Sequence, residues 1–155
     1  MKIIQRKNKN MSIEEIEILL NVNNVGYLGT AKSEGYPYIV PINFYYEQGK
    51  FLFHSGLHGK KLEYIKANPR VCFQVTNHSK VVEKENPCNF TVYYRSVIAF
   101  GNAQIIEEKK KKLILLEKFA QSFTDDLVES LDEGSTQRVA LIEMKIHSIC
   151  GKKNG

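Results

Sequence analysis

Residues 35–44 read GYPYIVPINF, a stretch in which strand-forming residues surround two prolines. Tyr36, Tyr38, Ile39, Val40, Ile42 and Phe44 are β-branched and aromatic residues, the types that suit a pleated, half-buried surface. Proline has no N–H to give to a ladder and is confined to edges, strand starts and bulges. Pro37 fits a strand start. Pro41 does not, because apolar residues continue beyond it to Phe44. Something other than a neighbouring strand is therefore expected to lie against this segment.

Working outward, the strand is predicted to run to about residue 46. A turn at residues 47–49 then leads into KFLFHS (50–55) as its hairpin partner. Upstream, VGYLGT (25–30) reads as a first strand, closing in a Ser-Glu-Gly turn. Before it, Ser12 and Glu15 form a capping box, and Ile13, Ile16, Leu19 and Leu20 make one helical stripe. Downstream, Leu62 and Ile65 share a face of a short helix that must stop near Asn68, because Pro69 disfavours α geometry in the residue before it.

RVCFQVT (70–76) is a strand, residues 77–90 read as a long polar loop, and residues 91–106 form a long strand with a bend or bulge at Gly101. In residues 107–123, Leu116, Phe119, Ala120 and Phe123 recur at helical spacing. Residues 125–136 read as an acidic loop. In the last strand Ala140, Ile142, Met144 and Ile146 alternate. The expectation is a mainly β fold of about six antiparallel strands with three flanking helices, closed or nearly closed into a barrel.

A chain of 155 residues suits a single domain with a real core. No apolar run is long enough to cross a bilayer, and the first residues lack the apolar core of a signal peptide. A cytoplasmic protein with no membrane partner is expected. The net charge of +5 permits a phosphate-bearing partner without demanding one. Cys72, Cys88 and Cys150 show no metal-ligand spacing and are expected as reduced thiols.

The stretch FHSGLHGKKLEY (53–64) places Ser55, Gly56, Gly59, Lys60 and Lys61 between a strand end and a helix start. Free N–H groups, a hydroxyl and two ammonium groups make a natural phosphate cradle. Lysines merely solvated on a surface helix fit the same spacing, and the P-loop pattern is absent. His54 and His58, separated by Gly56, have no third ligand in view, so no metal site is expected. Lys109, Lys110, Lys111 and Lys112 sit beside Glu107 and Glu108 as a solvated helix face, and no stacking aromatics accompany them, so no nucleic acid is expected. Nothing forms a Ser-His-Asp triad or an opposed carboxylate pair. Any reactivity is expected from a bound cofactor.

The order G-x-L-G, P-x-x-x-P-x-N-F, F-H-S-x-x-x-G-K-K and Y-x-S-V-x-x-F-G, running from about Val25 to Ile106, resembles the pyridoxamine 5′-phosphate oxidase-related flavoproteins. Within them it is most similar to the 5-nitroimidazole-resistance, nitroimidazole reductase-like branch. The resemblance implies a split β-barrel that forms a homodimer with FMN at the subunit interface. It places Val40, Pro41, Ile42 and Asn43 beside the flavin ring. Ser55, Lys60 and Lys61 would meet the FMN phosphate, with His54 at the end of the same strand facing the substrate. Tyr94 and Ser96, with their neighbours Arg95 and Val97, would approach the cofactor from the other subunit.

The implied activity is electron transfer from reduced FMN to a small aromatic or nitro compound, with a nicotinamide nucleotide or another electron donor. A non-catalytic flavin or haem carrier of the same fold is the alternative. Arg138, Lys145, Lys152 and Lys153 do not align with the substrate-phosphate residues of true pyridoxamine phosphate oxidases, which argues against vitamin B6 synthesis.

Overall fold

In a computed structural model of the chain, residues 9–128 and 130–155 are described. Most of the basic N-terminal stretch lies outside them. The chain order is α1 (Ile13–Asn21), β1 (Val25–Thr30), β2 (Tyr38–Glu47), β3 (Lys50–Ser55), α2 (Lys60–Ala67), β4 (Arg70–Val82), β5 (Thr91–Ile105), α3 (Lys109–Gln121), α4 (Glu133–Gln137) and β6 (Ala140–Asn154). The six strands pair antiparallel in the closed order β1-β2-β3-β6-β5-β4, with β4 returning to β1. The mainly β barrel expected from the sequence is the fold observed.

The barrel interior follows from period-two alternation. Leu28, Ile42, Phe44, Phe51, Phe53, Phe73, Val75, Val97, Ala99, Ile142 and Met144 point inward and are buried. Phe51, Phe53 and Phe73 meet with ring centroids 4.8–6.0 Å apart. Both barrel ends are covered by amphipathic helices. At one, Ile16, Leu19 and Leu20 of α1 are buried, and the predicted capping box is present, with Glu15 N donating to Ser12 Oγ at 3.2 Å. At the other lies α2, with Leu62 and Ile65 buried.

A second core forms outside the barrel. Leu52 and Leu141 face outward from β3 and β6 and are covered by Leu115, Leu116 and Phe119 of α3. This is why β3 is buried on both faces. Glu143 lies under the start of α3, where its carboxylate accepts from Lys111 Nζ at 3.1 Å and Gln104 Nε2 at 3.0 Å, with Lys50 Nζ 3.7 Å away. Desolvation raises its pKa, but the two hydrogen bonds and the lysine charges outweigh that and hold the carboxyl below its ordinary value.

Three local features bear on the sequence reading. The β2–β3 hairpin turns through Gln48 (φ 28°) and Gly49 (φ 82°), as expected from its Gly. A bulge falls at Gly101, where an added Cβ would lie 2.0 Å from the Lys145 carbonyl oxygen. The long loop expected at residues 77–90 is a correction. β4 continues to Val82 and pairs with β5 through Val82↔Thr91, leaving a short connection that holds a 3-10 turn at Pro87–Asn89.

Candidate functional site

The β2–β3 ladder is short. β2 pairs with β1 from Tyr38 to Asn43, but with β3 only from Phe44 to Glu47. Phe44 N donates to Asn24 O at 3.0 Å, so its N–H points toward the β1 side. Alternation turns the N–H of Val40 and Ile42 the same way, and the backbone of Pro41 and Asn43 the other way. The donor that Pro41 lacks would therefore project from an edge that no strand occupies. Here the barrel is split, and the mid-strand proline loses no ladder bond.

Beyond this edge, β3 ends at Ser55, whose buried Oγ donates to Gly56 O at 3.0 Å. The chain turns at Gly59 with φ +130°, a conformation only glycine adopts freely, and α2 begins at Lys60. Leu62 N and Glu63 N both donate to Gly59 O, at 3.0 and 3.3 Å. No side chain caps this helix end. Lys60 is exposed and Lys61 half-buried, and neither joins the ion pairs found among the described residues. An uncapped, positively polarised helix terminus carrying two ammonium groups is chemically suited to an anion such as a phosphate monoester.

On the outer face of the same strand end, His54 lies next to Asn43, one step beyond the Phe44↔Phe53 pair. The two residues line a pocket of about 550 Å³ whose remaining walls are Leu116, Phe119, Ala120, Phe123, Leu131 and Val139. The His54 ring stacks on Phe119 at 5.7 Å with 28° between planes, and Phe119 meets Phe123 at 5.0 Å. Burial pushes the His54 pKa below its ordinary value. The imidazole is therefore neutral near pH 7, in a pocket whose lining carries no charged side chain.

The residues singled out from the sequence divide into two groups. Pro41 and Asn43 form an exposed run on the outer face of β2 with His54 beside Asn43, while Ser55 lies on the buried face of β3 and Lys60 and Lys61 follow at the start of α2. Val40 and Ile42 point toward the barrel interior, with Ile42 buried, so only their backbone borders that run. Tyr94, Arg95, Ser96 and Val97 lie on β5, three strands from β2 in either direction around the barrel. The register Pro41↔Tyr27↔Gln74↔Ile98 spans three strand spacings, or about 14 Å. Within one chain these four do not reach the β2 edge. Val97 is 1% exposed and belongs to the core, so its side chain cannot face a ligand.

The pocket walls from α3 were legible in the sequence as the Leu116–Phe119–Ala120–Phe123 stripe, but as core rather than as a pocket. Leu131 and Val139 gave no such signal. A separate cleft of about 810 Å³ opens on the outer face of β1, β2, β4 and β5. There Ile39, Gly29, Cys72 and Phe100 form one cross-strand row. Among the described residues, no cluster of three or more His, Cys, Asp or Glu side chains is placed to hold a metal, and no helix is long and apolar enough to cross a membrane.

Solved structures share the fold. A candidate 5-nitroimidazole antibiotic resistance protein from Bacteroides thetaiotaomicron is 26% identical, with a TM-score of 0.81 over 94% of this chain and 86% of that one. A FAD-binding protein from Mesorhizobium loti is 24% identical, with a TM-score of 0.70 over 94% and 97% of the two chains. A FAD and heme binding protein from Mycobacterium smegmatis reaches a TM-score of 0.85 at 17% identity, over 96% and 74%. The last two likenesses establish the fold alone. Among curated proteins no sequence matches. The family model described as pyridoxamine 5′-phosphate oxidase matches residues 12–153, nearly the entire barrel with its helices. The chain belongs to the pyridoxamine 5′-phosphate oxidase family.

Proposed function

We propose that this protein binds FMN along the open edge of β2 and transfers electrons from it to a small, uncharged aromatic or nitro compound seated against His54. One observation carries the reading. His54 in the apolar pocket, Ser55 and the uncapped two-lysine start of α2 succeed one another along the chain, and Asn43 of the same pocket continues into the edge at Pro41 that β3 leaves unpaired. Lys60, Lys61 and the first N–H groups of α2 would hold the phosphate. The backbone of Val40, Pro41, Ile42 and Asn43 would border the ring. The 26% identity to a candidate nitroimidazole resistance protein supports the nitro compound as acceptor.

When bound and reduced by a nicotinamide nucleotide, the flavin supplies two electrons and a proton to the acceptor. The chain's own residues do the rest. Phe119, Phe123, Leu116 and Leu131 offer the acceptor an apolar wall. Asn43 and the neutral His54 ring supply the polar atoms that orient it. An anionic acceptor would find no counter-charge here.

The site is completed by a second copy of the chain. The outer face of β1, β2 and β5 leaves Val25, Tyr27, Ile39 and Phe100 exposed by 46%, 51%, 66% and 38%, apolar side chains that a second copy would cover. Packing of two copies through this face would give Tyr94 and Ser96 of one access to the β2 edge of the other, the arrangement the family resemblance implies. This supports a homodimer.

The test is spectroscopic. The purified protein is expected to be yellow, to release FMN on denaturation, and to elute as a dimer. Under anaerobic conditions NADH or NADPH should bleach the flavin, and a nitroaromatic should restore its colour faster than it does that of free reduced FMN. A monomer that takes up no flavin overturns the proposal. A flavin-loaded dimer that is reduced but reoxidised no faster than free FMN leaves a carrier instead of an enzyme.

A further inference from the structure

The core between α3 and the barrel is apolar except at one place. Leu52, Ile106 and Leu141 on the barrel side meet Leu115, Leu116 and Phe119 of the helix. On the same outer face of β6, two residues from Leu141, stands Glu143, 4% exposed, with Leu52 and Gln104 as its cross-strand neighbours. A buried carboxylate is a poor source of stability, since well-packed apolar residues in place of a buried ion pair are often neutral or stabilising. Its presence is better explained by where its bonds point.

Those bonds run to three elements. Lys111 Nζ of α3 donates to Glu143 Oε1 at 3.1 Å, Gln104 Nε2 of β5 donates to the same oxygen at 3.0 Å, and Lys50 Nζ of β3 lies 3.7 Å from Oε2. Lys50 is also 3.4 Å from Glu47, whose other oxygen accepts from Lys118 Nζ at 2.9 Å. Lys111, Leu115 and Lys118 recur at i, i+4 and i+7, so the two lysines flank the buried stripe of α3, about 10 Å apart along its axis. The other long side chains of α3 that form bonds hold the segment after it. Glu117 accepts from Ser130 Oγ and Leu131 N, and Gln121 bonds Thr124, Asp126 and Val128. Among the described residues, the directional links from α3 to the barrel are therefore the two lysine pairs. The Lys118 pair is open to water and screened, whereas the Lys111 pair has its carboxylate buried.

Apolar contact has no preferred direction and by itself lets a helix slide or turn on the surface it covers. We infer that Glu143, through Lys111, fixes where α3 lies on the barrel and so positions Phe119 over His54. Phe119 follows Lys111 by about two turns, and its ring stacks on the His54 ring at 5.7 Å. Glu143 lines no part of the His54 pocket, so it is a positioning residue that acts through the helix. For its bearing on turnover the inference rests on the function proposed above. The stacking it explains is present without any substrate.

The experiment follows the His54 ring by NMR in the full chain as purified. His54 is one of four histidines, and its signals are those lost in His54→Gln. Phe119→Leu gives their positions without the stacked ring. Glu143→Leu should move the His54 signals toward those positions and raise the His54 pKa toward 6.5, because a displaced helix lets water reach the imidazole. Loss of a nearby negative charge alone would lower that pKa, so the sign separates the two causes. Lys111→Met cuts the same tether from the helix side and should move the signals likewise. Glu143→Gln removes the charge but keeps an oxygen that accepts from Lys111, and should leave them as in wild type. In Glu143→Leu and Lys111→Met, kcat/KM for a nitroaromatic should fall by up to about a hundredfold, the cost of a displacement of about 1 Å, with flavin reduction by NADH unchanged. Folded Glu143→Leu and Lys111→Met proteins with wild-type His54 signals overturn the inference. A wild type that reduces no nitroaromatic, in a series whose His54 signals move as expected, overturns the oxidoreductase reading alone.

Discussion

Replacing both lysines at the start of α2 gives the most direct measure of the proposed phosphate site. Lys60 is exposed, so its attraction for a phosphate about 4 Å away is largely screened by water and amounts to about 1 kcal/mol. Lys61 is half-buried and feels a lower effective dielectric, which raises its share to about 2 kcal/mol. Together, Lys60→Ala with Lys61→Ala should weaken FMN binding by about 3 kcal/mol, or roughly 150-fold in Kd. Riboflavin carries the same ring without the phosphate and should bind both forms alike. The assay is a titration of the apoprotein followed by flavin fluorescence, run with both compounds at two salt concentrations. Only the wild-type affinity for FMN should fall steeply with salt. If the double variant loses FMN and riboflavin equally, the lysines support the fold. If it loses neither, the phosphate lies elsewhere.

Three further outcomes follow from the geometry. Burial depresses the His54 pKa below the unfolded value of 6.5, so the unfolded chain binds more protons just below that pH. Stability from this residue is therefore complete above pH 6.5 and is lost as pH falls toward the folded pKa. Urea midpoints at about pH 7.5 and pH 5.5 should differ less in His54→Phe than in wild type. Gly101→Ala should destabilise the barrel by about 3 kcal/mol, the upper end for overpacking, because the new methyl would meet the Lys145 backbone rather than a flexible side chain. A lowered urea midpoint with unchanged slope would register this. Ile39→Glu places a charge in the middle of the exposed apolar face and should shift the protein to monomer in light scattering while lowering its flavin content; an unshifted dimer would move the interface elsewhere.

The legible parts of the fold were those where burial differs between two faces. β1 and the helices α1 and α2 carry an apolar stripe that only one geometry can bury. Residues 77–82 carry none, because both faces of this extension of β4 lie largely in water and only the ladder to β5 holds it. A polar, turn-rich composition therefore read as a loop. The candidate anion site at Lys60 and Lys61 was visible because its residues are contiguous in the chain. The pocket at His54 was not. It joins Asn43 and His54 to residues some 60 to 95 positions later, and the bonds from Glu117 and Gln121 that shape its far wall leave no periodic trace. Pro41 lies between these cases: the sequence announced an interrupted ladder, and only the strand order explains where the interruption falls.

That position has a consequence independent of any ligand. A barrel open along one seam presents a template onto which a foreign extended chain can zip, the first step toward uncontrolled association. With the imide of Pro41 in the middle of the seam, an invading strand meets a missing rung halfway along and cannot complete its pairing. The residue that frees this margin for a small molecule thus also denies it to other polypeptides, and the apoprotein has a safeguard against self-assembly before any cofactor arrives.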